Sequence, residues 1–581
     1  MTLLQSITFI LYLTASFARA NLKCRPEGPV LPQPTALGES ATFREAAANL
    51  TDTLDAAVSG SITAGWPVKN VSFSLAVIST DQDKPGVPIW EYHHLASANE
   101  NGTKDLDRDS QYLIGSVSKV IASYVLLKSG VDLDAPVTEF LPKLGDEKST
   151  IQWRGVSLRM LASHLSGAPA NYGFSEFYVL KDVFLSIGFP PVGDSDYPPC
   201  GVMGLNKGCS HQDYLTGMTT SYPQTAPNER PAYSNMAFVI LGMALEEYTG
   251  KNFTQLVKEI VSDPMDLKST YPSPGDSEKA VIPPGENSWG ADYKENTPAG
   301  GLISSLSDLS KFSYALLSRT INLTSTEVNA WLKPVAFAGN EHTMTGMPWE
   351  ILRSSKLTPD HPHTVTIYGK SGGAQNYRSQ LDFVNEYGFA VILLTAGPMK
   401  AAPILRDAML ATFVAAADKV SREQGEKDEQ MFTNKGDKSQ VPVEVSLKQD
   451  KESMVLASLR RNNTDVVAGL AKIWTFALGD FLPTVGPKIR VFPSDLREKA
   501  TLDGKPVTKE VWHLWPDIGS DFKTDLPGKI IDSMNCVGWT IQDWVHYEGE
   551  PLDRVLVYVG EDGDVEGFEV PFLRSGVLYP S

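Results

Sequence analysis

The chain has too few basic residues to balance its acidic ones. Its 51 lysines and arginines stand against 69 aspartates and glutamates, which gives a formal net charge of -18 and an isoelectric point near 5.0. A protein with this charge is repelled by the phosphates of nucleic acids and by anionic membrane surfaces. The composition therefore disfavours a nucleic-acid-binding function, and no nucleic acid is expected as a partner.

Long apolar runs are also missing from most of the chain. After residue 20 no segment reaches the roughly 20 consecutive apolar residues that cross a bilayer, so no membrane insertion is expected. The first residues differ, because the apolar run from Ile7 to Leu13 is followed by Ala18-Arg19-Ala20, the small-x-small pattern of a signal-peptidase site. Residues 1–20 are therefore predicted to be a signal peptide, and the mature protein is predicted to be secreted and extracellular.

Cysteine is rare, with four residues in the whole chain. All four lie after the predicted signal peptide, in a compartment that favours disulfide formation, and three pairings are possible. The short glycine-rich loop between Cys200 and Cys209 favours a bond between these two, worth about 3 kcal/mol in the chain-entropy model. Cys24 would then pair with Cys536. Free buried thiols are the alternative.

Six N-x-S/T sequons are spread along the sequence. Such sequons are acceptors for N-glycosylation in secreted proteins, which agrees with the predicted signal peptide. The predicted glycosylation sites are Asn49, Asn70, Asn101, Asn252, Asn322 and Asn462.

The sequence shows no pattern of metal or cofactor ligands. Neither His93-His94 nor His361-Pro362-His363 has the i, i+4 spacing of a helical zinc site. The acidic segment EDGDVEG near the C-terminus lacks a spaced glutamate for calcium. The Gly369-Lys370-Ser371 segment lacks the earlier glycine of a phosphate-binding loop. The prediction is a protein that needs no metal and no organic cofactor.

A chain of 581 residues is longer than one hydrophobic core usually serves, which predicts two domains. Residues 21–419 combine β-like segments such as VKNVSFSLAVIST with apolar helical segments such as NMAFVILGMALEEYTG, as in an α/β (α+β) domain. Residues 420–441 are charged and polar and are predicted to be a linker. Residues 442–581 contain short β-like runs between Gly and Pro turns, so a smaller β-rich C-terminal domain is expected.

One sequence element combines a nucleophile with a base. Ser116-Val117-Ser118-Lys119 fits the pattern S-x-x-K at the start of an apolar helix, where residues three apart share a face. A serine hydroxyl becomes a good nucleophile when a neighbouring base takes its proton, and a lysine acts as that base when burial or nearby cations keep it neutral. The element therefore predicts nucleophilic catalysis by Ser116.

Two further elements could complete such a site. Tyr233-Ser234-Asn235 precedes an apolar helix and offers a phenol for proton transfer and an amide for hydrogen bonding. Lys370-Ser371-Gly372-Gly373 follows the alternating strand TVTIY, where glycines allow a substrate to approach a strand edge. Backbone N–H groups on such an edge can stabilise a developing oxyanion.

The order of these elements, on a helix start, a loop and a strand, resembles the serine β-lactamase and penicillin-binding-protein superfamily. The class C β-lactamase and esterase branch is the most similar. LRMLASHLSGAP and PAGGLISSLSDLSKF resemble further segments of that family, and the resemblance covers roughly residues 36–418. It implies a β-lactamase/transpeptidase-like fold, with an antiparallel sheet flanked by helices plus an all-helical subdomain. The lead around Cys24 and the C-terminal region resemble secreted fungal β-lactamase-like proteins with an appended domain.

The resemblance also implies roles for individual residues. Ser116 would be acylated, and Lys119 and Tyr233 would transfer protons. The backbone N–H groups of Ser116 and Gly373 would form the oxyanion hole. The positions implied for substrate and oxyanion binding are Asn235, Lys370, Ser371, Gly372 and Gly373.

The expected function is therefore hydrolysis of a small ester, lactone or amide through an acyl-enzyme, with ester or lactone favoured. The segment from Tyr197 to Cys209 looks like an insertion that could narrow the cleft. One alternative is acyl transfer by the same intermediate, and another is a non-catalytic binding protein on the same fold. Gly369 to Gly373 also fits the G-x-S-x-G elbow of α/β-hydrolases, but a strand rather than the required helix is predicted to follow.

Overall fold

The computed structural model describes residues 25–82, 84–99, 101–434, 441–478, 484–519, 525, 536 and 538–581. The chain divides into two compact units. The larger unit comprises Gln33–Pro359 and Thr364–Arg422, and the smaller unit comprises the described residues 25–32, Asp360–His363 and Glu423–Ser581.

Antiparallel strands form the framework of the larger unit. They are β1 (Ser72–Ser79), β2 (Trp90–His94), β3 (Gln111–Leu113), β4 (Tyr271–Pro272), β5 (Leu302–Ser305), β6 (Ala336–Phe337), β7 (Thr343–Thr345), β8 (Glu350–Ser354), β9 (Val365–Ala374), β10 (Tyr377–Val384) and β11 (Phe389–Ala396). The main sheet has the order β2-β1-β11-β10-β9-β8-β7-β6, and a small sheet has the order β3-β5-β4. Strands β1 and β2 pair as an antiparallel hairpin, with Val77 opposite Trp90.

Helices cover both faces of the main sheet. They are α1 (Ala41–Ser59), α2 (Ser118–Lys128), α3 (Leu158–Ala162), α4 (Lys181–Ser186), α5 (His211–Thr220), α6 (Asn235–Thr249), α7 (Phe253–Val257), α8 (Thr297–Gly300), α9 (Leu306–Leu317), α10 (Ser325–Leu332) and α11 (Ala401–Gly425). Between β3 and β4, a stretch that is fully described, α2 to α7 follow one another without a strand. This arrangement is the antiparallel sheet with flanking helices and a helical subdomain that the sequence predicted.

The two faces of the sheet belong to different cores, because alternate side chains of a strand point to opposite faces. Phe73 and Val77 of β1 pack with α1 and α11, whereas Ala76 and Ile78 of the same strand pack with α2, α6 and α9. Helix α6 is buried from Met236 through Leu245. A helix that is apolar around its whole circumference is expected in such an interior position.

The smaller unit is rich in β-structure, as the sequence predicted. Its elements are β12 (Met431–Thr433), β13 (Val443–Gln449), β14 (Met454–Arg461), β15 (Thr464–Asp465), α12 (Val466–Leu478), β16 (Thr484–Leu502), β17 (Lys505–Gly519), β18 (His546–Tyr547), β19 (Glu550–Pro551), β20 (Arg554–Val559), β21 (Val565–Glu569) and β22 (Val577–Pro580). The main sheet of this unit has the order β13-β12-β22-β21-β20-β17-β16-β14-β15. Trp512, Trp515 and Phe568 lie in its core.

The prediction of a linker at residues 420–441 needs correction. Helix α11 continues to Gly425, and β12 pairs with both β13 and β22. Val420 at the end of α11 and Phe432 in β12 are buried. Each is an isolated apolar residue among charged neighbours, so the sequence around it shows no apolar cluster. Residues 435–440 of the predicted linker lie outside the described residues.

The N-terminal boundary also differs from the prediction. Val30 and Leu31 belong to the core of the smaller unit, whereas the sequence predicted residues 21–419 to be one domain. The predicted signal peptide, residues 1–20, lies outside the described residues. Among the helices that the structure describes, none is both long and apolar enough to cross a bilayer.

Candidate active site

Ser116 lies in a tight turn between β3 and α2. A single turn of 3₁₀-helix, Gly115–Val117, leads directly into α2, so Ser116 stands near the positive end of that helix. Gly115 has a φ of 48°, and a β-carbon there would collide with the backbone of Gly373 on β9. Glycine at position 115 therefore lets the nucleophile turn pack directly against β9.

Lys119 lies one helical turn after Ser116 and is completely buried. Its Nζ is 3.0 Å from Ser116 Oγ and 2.7 Å from Asn235 Oδ1, and it also donates to the backbone oxygen of Ala299. The amide and backbone oxygens are acceptors only. A neutral amine can donate its two hydrogens to them and direct its lone pair at the serine hydroxyl.

The surroundings of Lys119 favour that neutral form. Burial lowers the pKa of Lys119 well below its usual value, the positive charge of Lys370 lowers it further, and the negative charge of Glu350 partly opposes both effects. A buried amine with a lowered pKa can accept the proton of an attacking hydroxyl near neutral pH.

Tyr233 contacts the nucleophile from the cleft side. Its hydroxyl donates to Ser116 Oγ over 2.7 Å, and the side chain remains 41% exposed. The Nζ atoms of Lys119 and Lys370 lie 5.0 and 5.1 Å from the centre of its ring. The phenol thus stands between two amines and touches the serine oxygen, where it can relay a proton to or from solvent.

The start of α6 holds the Tyr233 loop in place. Ser234 is the N-cap of α6, and its side chain accepts from the N–H of Ala237. Asn235 follows as the first residue of the helix and directs its amide into the site, where Oδ1 contacts Lys119 and Nδ2 donates to Asn171 Oδ1 over 2.7 Å.

Glu350 was not among the predicted site residues, and it contacts both Lys370 and Ser371. Lys370 Nζ lies 2.5 Å from Glu350 Oε1, and Glu350 also accepts from the N–H and the hydroxyl of Ser371. The Lys370 charge holds the pKa of the Glu350 carboxyl below its usual value despite the burial that raises it. The register Glu350 opposite Gly369 brings the carboxylate here, and no motif in the sequence signals it.

Beyond Gly369, strand β9 has a free edge. The β8–β9 pairing ends at Glu350 and Gly369, whereas β10 continues alongside to Ala374. Because the Ser371 N–H donates to Glu350 rather than to β10, the Gly373 N–H, two residues later, also faces the free edge. A β-carbon at Gly372 would collide with the backbone oxygen of Ile114, so glycine at position 372 lets β9 lie close to the nucleophile turn.

His164, in the segment LRMLASHLSGAP, lies beneath Tyr233. The two rings stack with centroids 4.3 Å apart, and His164 Nδ1 accepts from the N–H of Ser234 over 3.2 Å. Burial and the charges of Lys119 and Lys370 lower the pKa of His164 well below its usual value, which favours the neutral imidazole. It fixes the position of the phenol from below.

The other predicted residues lie away from this cluster. Cys200 and Cys209 form the predicted disulfide, whereas Cys24 lies outside the described residues, so its pairing with Cys536 stays a prediction. The asparagines of all six sequons are exposed. Within the part of the chain that the structure describes, no cluster of His, Cys, Asp and Glu could hold a metal ion. His93 Nδ1 instead lies 2.9 Å from Ser74 Oγ, and His361 Nδ1 lies 3.0 Å from the backbone oxygen of Lys451.

The larger unit has the β-lactamase/transpeptidase fold, with a serine–lysine pair at the start of its buried helix. Its sequence matches the family model described as Beta-lactamase over residues 74–416. Residues 421–581 match a second model, described as Beta-lactamase-like-like, C-terminal domain. The chain therefore belongs to the β-lactamase family and carries the C-terminal domain of β-lactamase-like proteins.

Relatives match the chain over most of its length. A "Beta-lactamase-like protein" of Arthroderma benhamiae is 41% identical over 595 residues, which covers 98% of this chain and 99% of that protein. "Probable hydrolase M10" of a Phoma species is 23% identical and covers 84% of this chain and 81% of its own length. Among solved structures, a penicillin-binding protein homologue from Pyrococcus abyssi is similar with a TM-score of 0.46 and 16% identity, over 81% of this chain and 98% of that chain.

Proposed function

We propose that the protein is a secreted serine hydrolase that cleaves a small ester, lactone or amide through an acyl-enzyme at Ser116. The contact of one serine oxygen with both a buried lysine at 3.0 Å and a phenol at 2.7 Å carries this proposal. Among the relatives, the Phoma protein is described as a probable hydrolase.

Acylation begins when neutral Lys119 takes the hydroxyl proton of Ser116. The serine oxygen forms a bond to the substrate carbonyl carbon, and the carbonyl electron pair moves onto its oxygen. The N–H groups of Ser116 and Gly373 stabilise that oxyanion, a contribution worth about 10²–10³ in turnover for each donor. The bond to the leaving group then breaks, and the leaving oxygen or nitrogen receives the proton from Lys119 through the Tyr233 hydroxyl.

Deacylation repeats these steps with water as the nucleophile. Lys119, acting through Tyr233, takes a proton from the water, whose oxygen bonds to the acyl carbon. When the ester bond to Ser116 breaks, the serine oxygen recovers its proton and the acid product leaves. An alcohol or amine in place of water gives acyl transfer, so addition of such an acceptor and a search for the transfer product distinguishes the two activities.

The residues around the nucleophile would orient the substrate. The exposed Ser371 and Gly373 lie on the free edge of β9, where a substrate can hydrogen-bond to the backbone as an added strand does. Asn235 holds Lys119 and also reaches the cleft wall at Asn171. Lys370 pairs with Glu350, and its positive charge helps to lower the pKa of Lys119.

A serine-directed fluorophosphonate probe tests the proposal. Intact mass of the deglycosylated wild type should show a single adduct, and Ser116→Ala should lose it. Ser129→Ala provides the matched control, because Ser129 follows the far end of α2 and its hydroxyl contacts only backbone groups nearby, donating to the Leu126 oxygen and accepting from the Val131 N–H. A well-folded wild type without an adduct, or an adduct that survives Ser116→Ala, would reject Ser116 as the nucleophile and favour the non-catalytic binding protein.

A further inference from the structure

Exposed apolar side chains are concentrated in one segment, residues 172–209, which we call the 172–209 loop. It belongs to the larger unit, follows Asn171 and contains the short helix α4. Soluble proteins seldom expose so many apolar side chains side by side unless they bind something. The large apolar residues that the loop exposes are Phe174, Phe177, Val179, Leu180, Val183, Leu185, Ile187, Phe189, Val192 and Met203.

The base of this loop is fixed. The disulfide between Cys200 and Cys209 closes a short turn at its C-terminal end. At its N-terminal end, Gly173 has a φ of 71° and packs so closely on Cys200 that a β-carbon would collide with the backbone there. Lys181 and Tyr178 both bond to Asp194, which ties α4 to the returning part of the loop. These contacts fix the backbone of the loop that carries the exposed apolar side chains.

A continuous series of polar contacts connects the loop to the nucleophile. Ser116 Oγ lies 3.0 Å from Lys119 Nζ, which lies 2.7 Å from Asn235 Oδ1. Asn235 Nδ2 donates over 2.7 Å to Asn171, whose own Nδ2 donates over 2.8 Å to Ser175 Oγ. Ser175 follows Phe174, the first of the exposed aromatic residues. The loop therefore begins at the wall of the active site.

The charge of the loop limits what can cover it. It contains four carboxylates and two lysines, and the whole chain has a formal net charge of -18. A second copy of the chain or an anionic lipid surface would bring like charges together. An uncharged hydrocarbon chain meets no such repulsion and gains about fourfold in affinity for each methylene that it removes from water.

We propose that the 172–209 loop binds the hydrocarbon chain of an ester substrate whose carbonyl carbon lies at Ser116. This inference rests on the proposed hydrolase function and specifies its substrate class: esters with a medium or long unbranched acyl chain. The acyl group is bound at its carbonyl by the active site and along its chain by side chains of the loop, beginning at Phe174.

The test compares p-nitrophenyl butyrate with p-nitrophenyl octanoate, both below the concentration at which they aggregate. Wild type should have a kcat/KM for octanoate at least tenfold above that for butyrate. Phe174→Ser combined with Phe177→Ser should reduce this ratio by tenfold or more and leave the butyrate value within about twofold. Phe476→Ser, a control at a 94% exposed phenylalanine of α12 in the smaller unit, should leave both values unchanged.

Other results would overturn the inference. These are an unchanged ratio in the double variant, a change that appears only with aggregated ester, or a self-association of the wild type that the double variant abolishes. A Ser116 fluorophosphonate adduct together with any of these results rejects the chain-binding role alone. Absence of both the adduct and ester hydrolysis rejects the proposed hydrolase function, and the inference fails with it.

Discussion

At the scale of the residue, the charge on Lys119 decides whether Ser116 can be activated. Burial and Lys370 lower the pKa of Lys119, whereas Glu350 raises it. A general base works only when it is deprotonated, so the rate of acylation should be low at acid pH and rise to a plateau as the pH passes the pKa of Lys119. Lys119→Ala should reduce the plateau by about 10²–10⁴-fold.

Two neighbouring variants should move that pH profile in opposite directions. Glu350→Gln removes the negative charge that raises the pKa of Lys119, so the rising limb should shift to lower pH. Lys370→Met removes the positive charge that lowers this pKa, so the limb should shift to higher pH. The measurement is the pH dependence of the fluorophosphonate labelling rate.

A shift in the midpoint of the pH profile shows that Glu350 and Lys370 act through their charges. A variant that only disturbs packing would instead change the labelling rate by the same factor at all pH values. Identical midpoints in wild type, Glu350→Gln and Lys370→Met would show that Lys119 is not the titrating base. Thermal unfolding of each variant provides the control for folding.

Sequence reasoning found some of these residues and missed others for a physical reason. Ser116 and Lys119 lie three apart on one helix, so their contact is local and visible in the sequence. Strand register brings Glu350 to the site, the course of a loop brings Asn171, and stacking on Tyr233 holds His164. In each case the partner residue is far away in the chain. No short pattern around any of the three indicates those partners.

At the scale of the element, the approach of the nucleophile turn to β9 is the feature that a single substitution tests best. Gly115→Ala should destabilise the protein by about 1–3 kcal/mol, because its β-carbon meets the backbone of Gly373. To relieve this collision, β9 must move away from the nucleophile turn. That movement should displace the Gly373 N–H and slow acylation. Chemical denaturation and fluorophosphonate labelling measure the two effects.

Gly130→Ala serves as the matched control at the other end of α2. Gly130 has a φ of 78° but nothing within 4 Å of the added β-carbon, so only the backbone strain remains, about 1 kcal/mol. Its labelling rate should equal that of the wild type. Equal labelling rates in Gly115→Ala and Gly130→Ala would contradict the importance of the close approach.

Helices and strands long enough to show a periodic apolar pattern could be predicted from the sequence, whereas very short strands could not. The hairpin of β1 and β2 and the buried helix α6 follow from alternation and from apolar content. The strand β12 has three residues, and one of them, Phe432, is buried. A pattern of period two cannot be read from three residues, so a charged linker was predicted there.

At the scale of the whole molecule, secretion stays a prediction that two features of the chain allow to be tested. The Cys200–Cys209 disulfide is formed, and the asparagines of the six sequons are exposed and accessible to a glycosyltransferase. Expression through the secretory pathway of a eukaryotic host should give a mature chain that starts at Asn21. Its mass should exceed the polypeptide mass and fall on treatment with a peptide-N-glycosidase.

N-terminal sequencing and intact mass before and after the glycosidase check both expectations. A chain that retains Met1, or a mass that the glycosidase leaves unchanged, would argue against secretion. Asn→Gln at individual sequons then assigns the occupied sites.

The central claim is a covalent acyl-enzyme at Ser116, and the most direct test is peptide mapping of protein quenched in acid during turnover of an ester. The acyl mass should appear on the peptide that contains Ser116 and disappear in Ser116→Ala. An enzyme that turns over the ester with no acylated peptide, or with the acyl group on another residue, would contradict the claim.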